Sequence, residues 1–467
     1  MLDVSTEEMT EGPLGRALAV LAAPIVAQQL VLVGQQVVDI FWVGRLGGSA
    51  VAAVGLVTPV IALLSVGTTV AFAGGQIVVS QRSGADDTPG ARRAATHAIA
   101  LAVVANLLMA VVVSPLAGPL VRLFDPGTAV AGLAATYLSV LVFAQVFAGL
   151  SDAVEASYVG AGDSRTPLVL NLLAIALNVT LDPLLIFGWG PFPRLEIAGA
   201  ALATGIGYGV AGAIGLTLLF SGRTDFRLTP RALGFDRETA RDILDVGLPR
   251  GGQRVVRQVA RLVVVAIVSV AAGGAGLAAY TVGARIATVA FVPAAALGSA
   301  ATTVVGQNLG ADRPDRATRA TWLSVAVGAG VLGLVGVLQW AVPAEIAALF
   351  VPGIEGATLT NTVAYLQILA YGYWALGAIH TVQAGFDGAG RTEVSLYATT
   401  LQYWAVRVPV AAGGAFLLGM GALGPFWAVT ISNVVAAVGM CLYFWYSTGG
   451  DEGLLSRAAE DAGASAD

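Results

Sequence analysis

The 467-residue chain contains no lysine, and all 24 of its basic residues are arginine. Cysteine occurs once, at Cys441, and histidine twice, at His97 and His380. A single thiol excludes an internal disulfide framework, and two distant histidines give no zinc signature. Neither a P-loop nor a metalloenzyme motif is present, so no ATP-driven motor, resident cofactor or enzyme chemistry is expected. Charge itself is scarce. Only 11% of residues are charged against 57% hydrophobic, with a sequence pI of about 5.2 and a mean hydropathy of +0.80. Soluble domains carry about 25% charged residues, so this composition indicates a membrane protein, with membrane lipids and no nucleic acid among its partners.

Apolar runs of twenty or more residues recur from end to end, and a helix needs about 20 residues to cross roughly 30 Å of hydrocarbon. The alternation of a β-barrel is missing, so helices must span. The expected spans are 17–43, 50–80, 94–118, 129–159, 166–188, 197–220, 243–271, 276–308, 317–340, 357–385, 394–418 and 421–447. The first run has an acidic leader (Asp3, Glu7, Glu8, Glu11) and no clear Ala-x-Ala site, so it reads as a retained helix rather than a cleaved signal. Arginine crowds the loops after helices 2, 4, 6, 8 and 10, whereas the alternate loops hold only Arg45, Arg122 and Arg194. The positive-inside rule then puts both termini in the cytoplasm of a multi-pass protein of the cell membrane.

Self-comparison shows an internal copy. The segment from Val79 to Asp86, VSQRSGAD, recurs as VGQNLGAD from Val305 to Asp312, a displacement of 226 residues (86 to 312). The same displacement carries Leu123-Phe124-Asp125-Pro126-Gly127 onto Leu349-Phe350-Val351-Pro352-Gly353, Arg165-Thr166 onto Arg391-Thr392, and Pro183 onto Pro409. The expected fold is all-α and integral to the membrane, with twelve transmembrane helices. They form two six-helix bundles, 17–220 and 243–447, related by a pseudo-two-fold axis along the membrane normal. A linker at 221–242 joins them, and acidic cytoplasmic tails occupy 1–16 and 448–467. Parallel repeats of this kind are a transporter architecture.

From Leu14 to Tyr446 the chain resembles the multidrug and toxic compound extrusion (MATE) family, in the branch of the archaeal and bacterial DNA-damage-inducible exporters. The Gly-Ala-Asp loops after helices 2 and 8 carry the resemblance, with the segment from Glu155 through Tyr158 to Gly160-Ala161-Gly162-Asp163-Ser164-Arg165-Thr166-Pro167 and its weaker echo Gly388-Ala389-Gly390-Arg391-Thr392. It implies a secondary antiporter: a V-shaped pair of bundles exporting organic compounds against an inward flow of H⁺ or Na⁺.

An ionisable side chain at bilayer depth is costly and faces the bundle interior. Two acids qualify. Asp39 follows Gln28 and Gln35 in helix 1 at spacings of eleven and four residues, which put all three on one face. Asp182 stands four residues after Asn178 in helix 5, and Pro183 breaks the local ladder beside it. Burial and proximity of like charges favour the protonated form of a carboxyl, which suits proton coupling. The same oxygens would suit Na⁺ as a hard cation, held by Asp39, Asn178 and Asp182. Asp39, Asn178 and Asp182 match the coupling positions that the resemblance implies, Pro24 matches its helix-1 proline, and Tyr137 and Thr204 are plausible partners. The bland reading of Asp39 is a hydrogen bond to a neighbouring helix. A kink at Pro24, whose near counterpart is Pro249, can be purely architectural. Glu155, Asp163, Asp387 and Glu393 are expected in salt bridges near the loops.

At the same displacement Asp39 meets Val265 and Asp182 meets Val408, so the second copy lacks both acids. It has Arg250, Arg254, Arg257 and Arg261 instead, with Arg254 and Arg261 in the places of Gln28 and Gln35. Three readings compete: snorkelling toward lipid headgroups, pairing of Arg250 with Asp242 or Asp245, or a cationic wall in which Arg254 and Arg261 line the substrate cleft with Gln28 and Gln35. Arg407, just before Pro409, is a further buried charge with no partner visible in the sequence. The expected function is efflux of small organic compounds by a monomer, with H⁺ preferred over Na⁺. A flippase for lipid-linked precursors and a non-transporting scaffold are the alternatives.

Overall fold

The structure, a computed structural model, describes residues 6–125, 127–223, 226–449 and 453–464. Asp3 of the acidic leader and Pro126 of the repeated loop lie outside the described residues. Every regular element among the described residues is a helix. In the first repeat these are α1 (Thr6–Glu11), α2 (Leu14–Gly44), α3 (Gly48–Leu64), α4 (Val66–Gly84), α5 (Thr88–Arg122), α6 (Thr128–Gly160), α7 (Arg165–Phe187) and α8 (Ile197–Ser221). The second repeat has α9 (Arg237–Gly310), α10 (Pro314–Ala341), α11 (Pro343–Phe350), α12 (Gly356–Ala370), α13 (Tyr373–Gly388), α14 (Thr392–Thr400), α15 (Val408–Ala412), α16 (Leu423–Ser447) and α17 (Leu454–Ala464).

Twelve membrane-length segments emerge from these once three local features are taken into account. The 74-residue α9 is two spans, because Gly273 adopts φ 59° and ψ −159°, a non-helical geometry in the left-handed half of the map that glycine tolerates. The pair α3 and α4 bends by 45° at Ser65, and α12 and α13 bend by 49° at Tyr371–Gly372, each pair making one broken span. The stretch from α14 through α15 is interrupted by two π-helical segments, Leu401–Arg407 and Gly413–Leu417. A π turn closes i→i+5 hydrogen bonds, so it holds an additional residue and turns the following side chains to a new face.

The chain divides into two compact units of helices, each with its own core. Residues Ala23–Gly251 form the first, and Glu7–Ala22 with residues 252–464 form the second. The first boundary falls one residue before Pro24. In the second unit the acidic leader is docked rather than free. Met9 is fully buried, Arg313 donates to the Thr10 carbonyl at 2.9 Å and to Glu11 Oε1 at 2.7 Å, and Asn308 donates to the Met9 carbonyl at 3.3 Å. Arg82, which Asn308 replaces in the second copy, does the corresponding work in the first unit. It donates to Thr239 Oγ1 at 2.9 Å and Asp242 Oδ2 at 2.9 Å, anchoring the first turns of α9. His97 holds the linker residue just before α9. Its Nε2 accepts from the Asp236 backbone N–H at 2.8 Å, which assigns the proton to Nδ1, 2.8 Å from the Arg93 carbonyl. The Thr239 hydroxyl donates to Asp236 and holds that carboxyl below its ordinary range.

The repeat is visible in backbone detail. Asp86 and Asp312 take the left-handed conformation, at φ 59° and 56°, in the two Gly-Ala-Asp loops. Asp87 then caps α5 by accepting from the Gly90 N–H at 2.8 Å. Asp87→Ala is expected to lower stability by about 1 kcal/mol, the usual worth of such a cap, read as a melting shift of the purified protein.

Close packing between helices corrects the register further along. Gly160 lies against the Gln76 carbonyl and Val79, and Gly388 lies in the same way against the Thr302 carbonyl and Val305. The displacement there is 228 residues (160 to 388), so Arg391 corresponds to Asp163 and not to Arg165. Gly199 against Leu185–Ile186 recurs as Gly424 against Gly414–Ala415, a displacement of 225 for the glycine (199 to 424) and 229 for the helix it packs on (185 to 414). The break between α12 and α13 and the π turns after α14 are the local features that can absorb the added residues.

Candidate functional site

Helices α2 and α7 carry the same pattern. Gln28, Gln35 and Asp39 on α2 and Asn171, Asn178 and Asp182 on α7 are each spaced seven and then four residues apart, which keeps each set on one helical face. The structure sets these faces together as a ladder of three polar rungs within the first unit. At 1.5 Å per residue the rungs stand about 10 Å and about 6 Å apart.

The lowest rung is centred on Glu155 of α6. Its Oε1 accepts from Gln28 Nε2 at 2.9 Å and its Oε2 from Asn171 Nδ2 at 2.9 Å. Gln28 and Asn171 are 3% and 4% exposed, so the half-buried Glu155 carboxyl is held by two buried amides. The expectation of a loop salt bridge at Glu155 is therefore corrected: no arginine pairs with it among the described residues. Asp163 likewise forms a turn instead, accepting from the Arg165 and Thr166 N–H groups at 2.9 Å. Glu393 does approach Arg391, at 4.0 Å, on the surface. Glu155→Leu would take the acceptor from the buried Gln28 amide and leave Asn171 with the Pro167 carbonyl, and is expected to cost roughly 1–3 kcal/mol, measured by thermal unfolding.

In the middle rung the Gln35 and Asn178 amides meet at 2.7 Å. With its nitrogen turned to Asp39, Asn178 donates to Asp39 Oδ1 at 3.0 Å and accepts from the Thr204 hydroxyl at 3.3 Å and backbone N–H at 3.1 Å. That orientation satisfies both ends of the Asn178 amide, and the Gln35 amide must then present its oxygen rather than its nitrogen to Asn178. The Asn178 side chain is fully buried.

The top rung is the carboxyl pair. Asp39 and Asp182 are close enough to share a hydrogen bond, and Tyr137 lies within electrostatic range of both. Asp182 is 1% exposed, and no donor group faces either of its buried oxygens. Two carboxyls side by side without a cation repel each other, and burial raises the cost. A proton or a monovalent cation between them removes it. No cluster of three or more His, Cys, Asp or Glu side chains suited to a metal occurs among the described residues. Any cation here would be held by two carboxylates helped by the amide and hydroxyl of Asn178 and Thr204.

The structure thus gathers Asp39, Asp182, Asn178, Thr204, Tyr137 and Gln35 at one place and puts Gln28 a rung lower with Glu155. Pro24 lies in the interior of α2, where the two units divide. Arg254 and Arg261 belong to the second unit, Arg254 partly exposed and Arg261 exposed. Glu155 and Asn171 are the members that sequence reasoning passed over. The repeated seven-and-four spacing on α7 was the signal for Asn171.

Comparison with known proteins gives a consistent picture. The family model MatE matches residues 24–184 and 250–412, one match in each repeat. The FAD transporter of Shewanella oneidensis is 26% identical, over 93% of this chain and 95% of that protein. The probable multidrug resistance protein NorM of Pseudomonas aeruginosa is 29% identical, over 93% of this chain and 89% of its own length. Among solved structures, a MOP superfamily transporter from Pyrococcus furiosus superposes with a TM-score of 0.88 at 24% identity, covering 94% of this chain and 97% of that one.

Proposed function

Because the chain belongs to the MatE family, the multidrug and toxic compound extrusion transporters, we propose that it exports organic compounds in exchange for protons entering through the carboxyl pair Asp39–Asp182. The observation that carries the coupling is Asp182 itself, whose two oxygens are buried beside Asp39 with no donor facing them. Such a pair holds one proton more readily than none, and a bound proton removes the repulsion that otherwise strains the top of the ladder. The change is transmitted through Asn178, which touches Asp39, Thr204 and Gln35, to α2 and its proline at Pro24. Glu155, two rungs lower, offers the proton a second carboxyl on its way across.

The multidrug names of relatives support efflux, and the range of those names, from multidrug resistance to a flavin dinucleotide, leaves cargo selection to the residues of this chain. The protein works as a transporter and not as an enzyme, as a single chain in the cell membrane with both termini cytoplasmic. It needs no resident cofactor and no nucleic acid.

The test uses proteoliposomes held at zero membrane potential. Export is expected to follow an imposed inward proton gradient in sodium-free buffer. Export driven by a sodium gradient alone would assign Asp39, Asn178 and Asp182 to Na⁺ instead, and export indifferent to both gradients would end the coupling proposal.

A further inference from the structure

The second unit reverses the charge of the ladder. By the displacement of 229 that takes Leu185 to Gly414, Arg407 takes the place of Asn178, and by the displacement of 226 Arg261 takes the place of Gln35. Two amides that meet at 2.7 Å in the first unit are thus replaced by two guanidinium groups. The pairing of helices is conserved as well: Gly207 packs on Asn178 in the first unit, and Ser432, at its counterpart position, touches Arg407 in the second.

Arg407 is 9% exposed and lies at the end of the Leu401–Arg407 π segment. Its Nε donates to Ser432 Oγ at 2.8 Å, its Nη2 donates to Asn433 Oδ1 at 2.6 Å, and the Tyr403 ring lies under the guanidinium at 4.1 Å. Gln402 donates to the same Asn433 oxygen at 2.9 Å, which fixes that amide. Nη1 has no protein acceptor among the described residues. Arg261 and Arg407 both lie within electrostatic range of the buried Tyr280 and Tyr365. Neither forms an ion pair among the described residues, and Val265 and Ala411, where the acids of the first unit would fall, are neutral.

A guanidinium at bilayer depth is costly and normally faces a carboxylate or a functional ligand. Here the protein supplies neutral acceptors and an aromatic face that hold the fork in place, with one edge left over. That arrangement fits a planar or tetrahedral oxyanion, for which the guanidinium fork is the favoured donor.

We propose that Arg407, with Arg261, forms an oxyanion-receiving site in the second unit that binds the phosphate or carboxylate of an exported organic compound. This rests on the export reading above and adds the cargo class to it: the coupling cation binds in the acidic copy and the anionic end of the cargo binds in the basic copy. A phospholipid could present the same phosphate, and the experiment separates the two sources.

The probes are riboflavin and flavin mononucleotide, which differ by one phosphate monoester. Binding is followed by flavin fluorescence with the full chain in nanodiscs of zwitterionic lipid. The wild type is expected to bind the phosphorylated flavin at least tenfold more tightly. Arg407→Gln and Arg261→Gln should each reduce that preference about tenfold and leave riboflavin unchanged, and Arg407→Lys should keep part of it. Arg261 is exposed, so its variant reads the site even if Arg407→Gln does not fold. Equal binding of the two flavins by the wild type, or a preference untouched in the folded variants, overturns the proposal. So does loss of the preference on adding phosphatidylglycerol when flavin mononucleotide is not exported, since the phosphate would then belong to a lipid. Gradient-driven export of a cationic dye is measured in parallel. If it persists while the flavin preference is absent, the oxyanion site is wrong and the coupling reading stands.

Discussion

Asp182→Asn is expected to lower gradient-driven export at least about 100-fold, with Asp39→Asn close behind, while the binding of substrate to the purified protein changes less than about threefold. The asymmetry follows from where charge must change. Asparagine keeps the shape of the side chain but cannot alternate between a charged and a neutral state, so the conformational cycle loses the free-energy difference that a gradient supplies. A ligand shifts a two-state equilibrium only by its differential affinity, and a factor of 100 corresponds to about 2.7 kcal/mol of lost coupling, within the usual range of 1–3 kcal/mol. The measurement is initial efflux from proteoliposomes under an inward proton gradient, with binding followed separately in detergent. A variant at either position that exports at the wild-type rate under the gradient removes the pair from the mechanism. Asp39→Asn should be the milder of the two, because Asp39 retains the Asn178 contact at 3.0 Å whereas no donor faces the Asp182 oxygens.

Gly199→Val should leave little folded protein. A Cβ at Gly199 would stand 2.6 Å from the Leu185 carbonyl carbon and oxygen and 2.8 Å from the Ile186 nitrogen. All three are backbone atoms, so no rotamer change relieves the clash and helices α7 and α8 must separate. Overpacking in a close interface costs about 1–3 kcal/mol where side chains can give, and more where backbone must move, against a total stability of about 5–15 kcal/mol. Separation would also displace Asn178 and Asp182, which α7 carries. Gly424→Ala repeats the test in the second unit, with Ala415 N at 2.5 Å and Gly414 C at 2.6 Å. The control is Gly132→Ala in α6, where nothing lies within 4 Å. It should be neutral or add up to about 1 kcal/mol of helix propensity. Elution as a monodisperse peak and the apparent melting temperature read all three. A Gly199→Val protein that melts with the wild type would show that the two helices pack less tightly than these distances state.

The spans were legible because hydrocarbon imposes one requirement on every residue of a run, and a run of the right length announces itself. Position within the run was legible where a side chain broke that requirement: Asp39 and Asp182 stand out against apolar neighbours. Glu155 did not, because it lies near a loop motif where acids are common, and what makes it special is Gln28, 127 residues away, and Asn171, 16 residues on. Arg407 had no partner in sequence for the same reason, since Ser432 and Asn433 lie 25 and 26 residues further along on another helix.

By itself the sequence determined a twelve-span helical membrane protein built from two copies, with acids in one and arginines in the other. These are properties of composition, periodicity and displacement, each carried by residues acting independently. Only the tertiary structure decided which polar groups meet, and by how many residues the copies slip. A break at Tyr371–Gly372 and two π turns change the face that later side chains present, and a hydrogen bond depends on facing within a few tenths of an ångström. That slip takes Arg407 from the neighbourhood of Asp182 to the place of Asn178. The reason is geometric: displacement counts residues, whereas a site is made by the direction in which they point.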